Sequence, residues 1–200
     1  MKHSSISNNA SREAFAPYLA LLERWNRTIN LIGRGDIAHA ADRHLADTLQ
    51  LVPLIPAGTT RGIDLGSGAG FPGLVLAAAT GIPFDLIEAD QRKAAFLREA
   101  ARVLGAPAQV HAVRIEAAAL PLAPLVTARA LAPLPRLLEL AAPLLAPGGV
   151  ALFPKGAGAA AELTAAREGW HMHVEQTPSR TAAGAVILRI TEIARAPARP

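Results

Sequence analysis

The sequence predicts an α/β fold: a mostly parallel sheet covered by helices on both faces, with a C-terminal antiparallel strand pair and an N-terminal helical extension. Three observations carry this reading. Short apolar strand segments alternate with helix segments from Arg61 to Lys155. A glycine-rich turn follows the first strand, and the last two strand segments are joined by a connection too short for the crossover a parallel return requires. A chain of 200 residues that is 51% hydrophobic and 18% charged has the length and apolar content for one domain with a small appendage.

Taken in order, Phe15, Tyr18, Leu19, Leu22, Trp25 and Ile29 recur at helical spacing, with Glu23, Arg24 and Arg27 on other faces. Asp36 to Val52 reads as a second helix through Ile37, Ala41, Leu45 and Leu49, before Pro53 and Pro56 interrupt it. Residues 1–56 are therefore read as a helical extension forming part of a substrate entrance, and 57–200 as the core. Strands are expected at Arg61–Leu65, Phe84–Glu88, Gln109–Val113, Leu125–Arg129 and, after Pro147-Gly148-Gly149, at Val150–Phe153. Between them, helices are expected at Pro72–Ala79, Gln91–Leu104 and Leu134–Leu145, followed by one at Ala159–Arg167. Strands at Trp170–Glu175 and Ala185–Ile190 close the chain, an arrangement like the seven-stranded methyltransferase version of the Rossmann-like, doubly wound fold.

Composition removes several classes of chemistry. Without cysteine there are no disulfides, thiolate nucleophiles, Cys-ligated zinc sites or iron–sulfur clusters, which suits a reducing cytoplasm. Lys and Arg number 20 against 16 Asp and Glu, a net charge of +4 in which Arg far outnumbers Lys, permitting a nucleic-acid partner. Met1 to Ala10 is polar and lacks a signal-peptide core, while Gly73–Thr80 and Leu137–Leu145 fall short of a membrane span. A cytoplasmic protein without a membrane partner or metal is expected.

The turn Asp64-Leu65-Gly66-Ser67-Gly68-Ala69-Gly70 is the strongest local signal, because closely spaced glycines after a strand let backbone approach a nucleotide-like ligand. A dinucleotide fingerprint would place its third glycine at position 71, which is Phe71, and no GxxxxGK triphosphate motif occurs. Glu88, at the end of the next strand, can accept hydrogen bonds from both ribose hydroxyls of a nucleoside. Asp64 is read as acting near the sulfonium and amino acid portion of S-adenosylmethionine. Asp90, Gln91 and Arg92 are expected to line the adenosine pocket or cap the next helix, while Arg114 and Glu116 are loop residues near the adenine. His111 is read as structural. Arg129 and Lys155 stand at carboxyl ends of strands in apolar segments, where a charge needs solvent or a partner, and are the candidates for substrate or cofactor work.

These residues together resemble the RsmG (GidB) family of bacterial methyltransferases. The resemblance runs from about position 15 to 190 and rests on Arg24-Trp25-Asn26-Arg27-Thr28-Ile29-Asn30-Leu31, Arg43-His44-Leu45-Ala46-Asp47-Thr48-Leu49 and Ile63 to Gly73 with its Phe71-Pro72-Gly73 ending. It also includes Leu86-Ile87-Glu88, Lys93 to Leu97, Arg129-Ala130 and Lys155-Gly156; Thr48 stands where the family often has Ser. The resemblance implies S-adenosylmethionine as cofactor, and as substrate a guanine N7 in the 530 loop of 16S ribosomal RNA, within the small subunit or an assembly intermediate. Cofactor contacts are then expected from Asp64, Gly66, Ser67, Gly68, Gly70, Phe71 and Glu88, from Ile115 and Glu116 near the adenine, and from Arg129. Arg129 and Lys155 fall beside the transfer pocket, and Arg24, Asn26, Arg27, Asn30, Arg43 and His44 on the RNA side, with Arg34 and Arg180 as further phosphate contacts.

Guanine N7 already carries an in-plane lone pair, so the absence of a paired-carboxylate or serine–histidine constellation is no objection. A monomer is expected. The competing readings are a methyltransferase acting on another RNA, a protein or a small molecule, and a noncatalytic RNA-binding module with the same fold.

Overall fold

The computed structural model describes residues 12–33 and 41–197. Arg34 and the start of the second predicted helix lie outside the described residues. One seven-stranded sheet runs through the molecule in the order β3-β2-β1-β4-β5-β7-β6. Its strands are β1 (Gly62–Leu65), β2 (Phe84–Ile87), β3 (Ala108–His111), β4 (Ala123–Ala128), β5 (Leu145–Lys155), β6 (Trp170–Pro178) and β7 (Val186–Arg195). The first five pair in parallel, and β7 runs antiparallel to both β5 and β6.

Side chains alternate between two apolar layers, as the pleat requires. Phe84, Leu86, Leu125, Val150 and Leu152 face α1 (Ala16–Asn26), α3 (Gly73–Thr80) and α4 (Gln91–Leu104). Ile63, Leu65, Ile87, Val126 and Phe153 face α5 (Leu134–Ala141) and α6 (Ala159–Arg167). The N-terminal helix belongs to the first layer: Phe15, Tyr18, Leu21 and Leu22 are buried in it, and the Tyr18 hydroxyl donates to Ala69 O at 2.6 Å. Burial holds the Tyr18 phenol well above its ordinary pKa, so it remains a neutral donor into the glycine turn.

Local chemistry explains the element ends. Asp90 caps α4 by accepting from the Arg92 and Lys93 backbone N–H groups, and Gly105 ends it in the left-handed conformation at φ 58°. The same two N–H groups hold the partly exposed Asp90 carboxyl below its usual range. Pro143 has no N–H to donate to the Glu139 carbonyl, so the predicted Leu134–Leu145 helix stops at Ala141 and continues as a 3-10 turn, Ala142–Leu144. The second predicted helix is a π-turn at Ala41–Leu45 leading into α2 (Ala46–Leu49), then a 3-10 turn at Val52–Leu54. β5 starts five residues earlier than the apolar run Val150–Phe153 suggested, because Ala146 to Gly149 form an irregularity within the β4–β5 ladder and do not end the strand.

Candidate active site

The strand order reverses between β1 and β4, so the crevice beyond their carboxyl ends is where an open α/β sheet binds ligands. From β1 the chain enters the glycine turn, and from β4 it enters Arg129 to Pro133. Two cavities open there. The first, about 470 Å³, is lined by Gly66 and Gly68, Glu88, Val113 to Glu116 and the Arg129–Ala132 segment. The second, about 500 Å³, lies on the other side of that segment and is bounded by Asp47, Gln50, Lys155, Glu162 and residues of the β6–β7 connection. Arg129 to Ala132 thus forms a shared wall, with Ala130 in the left-handed region at φ 52°.

The glycine turn is built for close approach. Gly66 and Gly68 hold φ values of 64° and 53°, a region that favours glycine, and a Cβ on Gly66 would stand only 2.6 Å from Leu131 Cδ1, so the turn packs directly on the shared wall. Glu88 fixes the turn from the neighbouring strand: its Oε2 accepts from the Gly68 N–H at 2.9 Å and its Oε1 from the Asp90 N–H at 2.8 Å. A carboxylate has about four acceptor positions, so each oxygen retains capacity for a ribose hydroxyl.

Several predicted cofactor residues lie behind the cavity and do not line it. Asp64 is fully buried, with Oδ1 accepting from Thr127 Oγ1 at 2.7 Å and Oδ2 making no hydrogen bond of ordinary geometry among the described residues. Burial raises its pKa to about 6, against the lowering pull of Thr127, Ser67, the Gly73 N–H and Arg129. Asp64 is thus set apart from the lining side chains: its carboxyl braces β4 and α3 from below the turn. Ser67 turns its hydroxyl back to Asp64 O, Gly70 packs against Leu74 and Leu97, and Phe71 packs edge-on against Tyr18. Ile115 lines the first cavity, while Glu116 at its rim pairs with Arg136 at 2.5 Å.

Arg129 is the centre of the site. Its guanidinium donates to His44 Nδ1 at 3.0 Å, lies 3.6 Å from Asp47 Oδ2 and sits 5.1 Å from the Phe71 ring centroid. Lys155 is mostly buried; its ammonium donates to Ala132 O and Glu162 Oε2, both at 2.8 Å. Glu162 Oε2 also accepts from the Leu134 N–H at 2.7 Å, so this pair anchors the far end of the shared wall.

The predicted RNA-side residues separate into two groups. His44 reaches the site, whereas Arg24 pairs with Glu99 of α4 at 2.6 Å and Arg27 with Glu23 at 3.1 Å on the outer surface. Asn26 spends its amide on the following loop, accepting from the Leu31 and Ile32 N–H groups and donating to Ile32 O. Asn30 and Arg43 are exposed. His111, with Arg61, closes on Asp85 in a structural cluster, each contact 2.6 Å long. Gln50 was missed: a buried amide lining the second cavity, whose partners lie 129 to 131 residues away.

The reversed β7, the switch point at β1 and β4 and the glycine turn with its strand-end carboxylate define a Rossmann-like methyltransferase. The N-methyltransferase NodS of Bradyrhizobium japonicum, solved with S-adenosyl-L-homocysteine, shares the fold at TM-score 0.57 and 16% identity over 91% of this chain and 100% of that one. The family model for rRNA small subunit methyltransferase G, GidB, matches residues 11–188, and the chain belongs to that family. The ribosomal RNA small subunit methyltransferase G of Acidiphilium cryptum is 60% identical over 187 residues, 92% of this chain and 85% of that protein. Its counterpart from Rhodospirillum centenum is 57% identical over 183 residues, 91% and 84% of the two chains.

Proposed function

We propose that the protein transfers a methyl group from S-adenosyl-L-methionine to N7 of a guanosine in the 530 loop of 16S ribosomal RNA. The observation that carries this is the pair of cavities sharing the Arg129–Ala132 wall, one built for a nucleoside and one of a size for an acceptor base. The first fits the cofactor: Glu88 would take the ribose hydroxyls, Gly66 and Gly68 the backbone-close side, and Val113 and Ile115 the adenine. When bound, the cofactor supplies an electrophilic methyl on a positively charged sulfur.

The side chains then have a geometric task. N7 presents its lone pair without losing a proton, so the site must align acceptor and methyl and exclude water. Arg129, fixed from three sides, is placed to hold guanine O6 or a phosphate at the junction of the cavities. Lys155 supports the same wall through Ala132 and Glu162. Residues 1–56 supply the acceptor-side wall through Asp47 and Gln50, with His44 holding Arg129, and 57–200 form the transfer core. The substrate is the small subunit or an assembly intermediate, met by a cytoplasmic monomer. Among the described residues no helix is long and apolar enough to cross a membrane.

The test is incorporation of labelled methyl into small subunits lacking the 530-loop modification, with naked 16S RNA and total protein in parallel and the product mapped by N7-sensitive strand cleavage. A single N7-methylguanine in that loop is expected. Labelling of protein, or of RNA elsewhere, would overturn the assignment.

A further inference from the structure

The β6–β7 connection, residues 179–185, does not behave as a free hairpin end. Its base is closed by the Ser179 N–H donating to Ala185 O at 2.8 Å, and beside that closure Gly184, at φ 74°, lies near Ala157, the neighbour of Gly156, which lines the second cavity. Ser179, Ala182 and Ala185 line that cavity. On the other rim, Gln50 donates through Nε2 to Ser179 Oγ at 3.2 Å and Thr181 Oγ1 at 3.3 Å, and accepts from the Arg180 N–H at 2.9 Å. Thr181 Oγ1 also donates to Asp47 Oδ1, whose other oxygen faces Arg129. Arg180 itself is exposed, adjacent in the chain to the cavity-lining Ser179.

We infer that this connection is a clamp over the acceptor cavity, and that Gln50 is the positioning residue that holds it against the N-terminal segment. The inference rests on the acceptor reading given above. A buried glutamine whose amide is spent on one loop is an expensive way to fill space, since a leucine there would need no partners. What the amide provides is a fixed backbone at Arg180. The clamp therefore presents a cation at the mouth of the cavity, where the phosphate of a nucleotide entering base-first would lie. It also ties acceptor binding to Arg129, because Asp47 contacts both Thr181 and the guanidinium.

Gln50→Leu keeps the side-chain volume and removes all three hydrogen bonds between residue 50 and the clamp. With purified full-length protein and small subunits lacking the methyl group, the KM for subunits is expected to rise about tenfold. In the same variant kcat and the Kd for S-adenosylmethionine should stay within about twofold, because Thr181 keeps its bond to Asp47, and through it the link to Arg129, and the first cavity is not touched. Gln50→Glu, whose carboxylate can accept from the Arg180 N–H and from the Ser179 hydroxyl while Thr181 still donates to Asp47, should bring the KM part of the way back. Hydrogen exchange at the Arg180 amide should quicken in the Leu variant and stay slow in the Glu variant. An unchanged KM in the presence of faster Arg180 exchange would overturn the clamp, as would losses of cofactor affinity and kcat as large as the loss in KM. The unaltered protein is assayed first: if it labels no small subunits, the acceptor reading falls and the clamp with it, whereas a failure confined to the variants strikes the clamp alone.

Discussion

Arg129 and His44, 85 positions apart in the chain, meet with 3.0 Å between guanidinium Nη1 and imidazole Nδ1. A guanidinium has no acceptor, so Nδ1 must be the unprotonated nitrogen, and the N-terminal segment holds the Arg129 side chain beyond the end of β4. His44 also packs on Phe71, 5.3 Å between ring centroids, so one imidazole links the entrance, the glycine turn and the shared wall.

Arg129→Ala should lower methyl transfer about a hundredfold under limiting small subunits, the scale of a misplaced reacting group. His44→Ala should cost less, about tenfold, because Asp47 and Phe71 still hold the guanidinium. Steady-state transfer assays decide this, and full activity in Arg129→Ala would remove the residue from the mechanism.

Glu88→Ala should weaken S-adenosylmethionine binding by about ten- to a hundredfold, corresponding to one or two hydrogen bonds to a charged group. The loss has two parts, direct contact with the ribose and release of the Gly68 and Asp90 N–H groups that Glu88 now holds. Titration calorimetry measures it, with Arg27→Ala, on the outer surface, as a control expected to leave cofactor binding unchanged.

Much of this site was legible because the signals were local. Asp90 and Gly105 bracket α4 at the residues its apolar spacing indicated, and the glycines after β1 are the ones whose positive φ values form the turn. What escaped was of two kinds. Every residue of β1 is buried, so alternation gave no sign that Asp64 points under the turn and away from the cavity. The partners of Lys155 and Gln50 are set by how the chain folds back: Glu162 is one of several charges near Lys155, and nothing near residue 50 announces Ser179.

Asp64 gives a pH prediction whose direction is opposite to that of an ion-paired carboxylate. Its folded pKa of about 6 lies above the unfolded value near 4, so the native state binds more protons between them and stability is lost as pH rises through that interval. Asp64→Asn carries no such dependence. The stability of Asp64→Asn relative to the unaltered protein should therefore climb from pH 4 to about 6.5 and then level off. Urea denaturation at a series of pH values measures the difference, and a flat difference would show that Asp64 titrates normally.

Gly73 is held to glycine by the same side chain. A Cβ there would fall 2.3 Å from Asp64 Cβ, an atom fixed to the backbone of a central strand, so nothing can swing aside. Gly73→Ala should destabilise the fold by about 3 kcal/mol, near the upper end for overpacking. Gly169→Ala, where an added Cβ meets nothing within 4 Å, should change stability far less.

Lys155 and Glu162 pose the sharpest question about the chemistry, because a lysine at the end of β5 could touch substrate or could hold the wall that does. The ammonium is already engaged by Ala132 O and Glu162, and Glu162 in turn takes the Leu134 N–H. If Lys155 acts through the wall, Lys155→Met and Glu162→Ala should each reduce transfer by about tenfold, and the double variant should be no worse than the poorer single one. If the ammonium instead meets the acceptor, Lys155→Met should exceed Glu162→Ala by a wide margin, and the Glu162→Ala protein should keep its KM for small subunits. The short distances on both sides of the ammonium favour the first outcome, which would make Lys155 a positioning residue and leave Arg129 as the cation that faces both cavities.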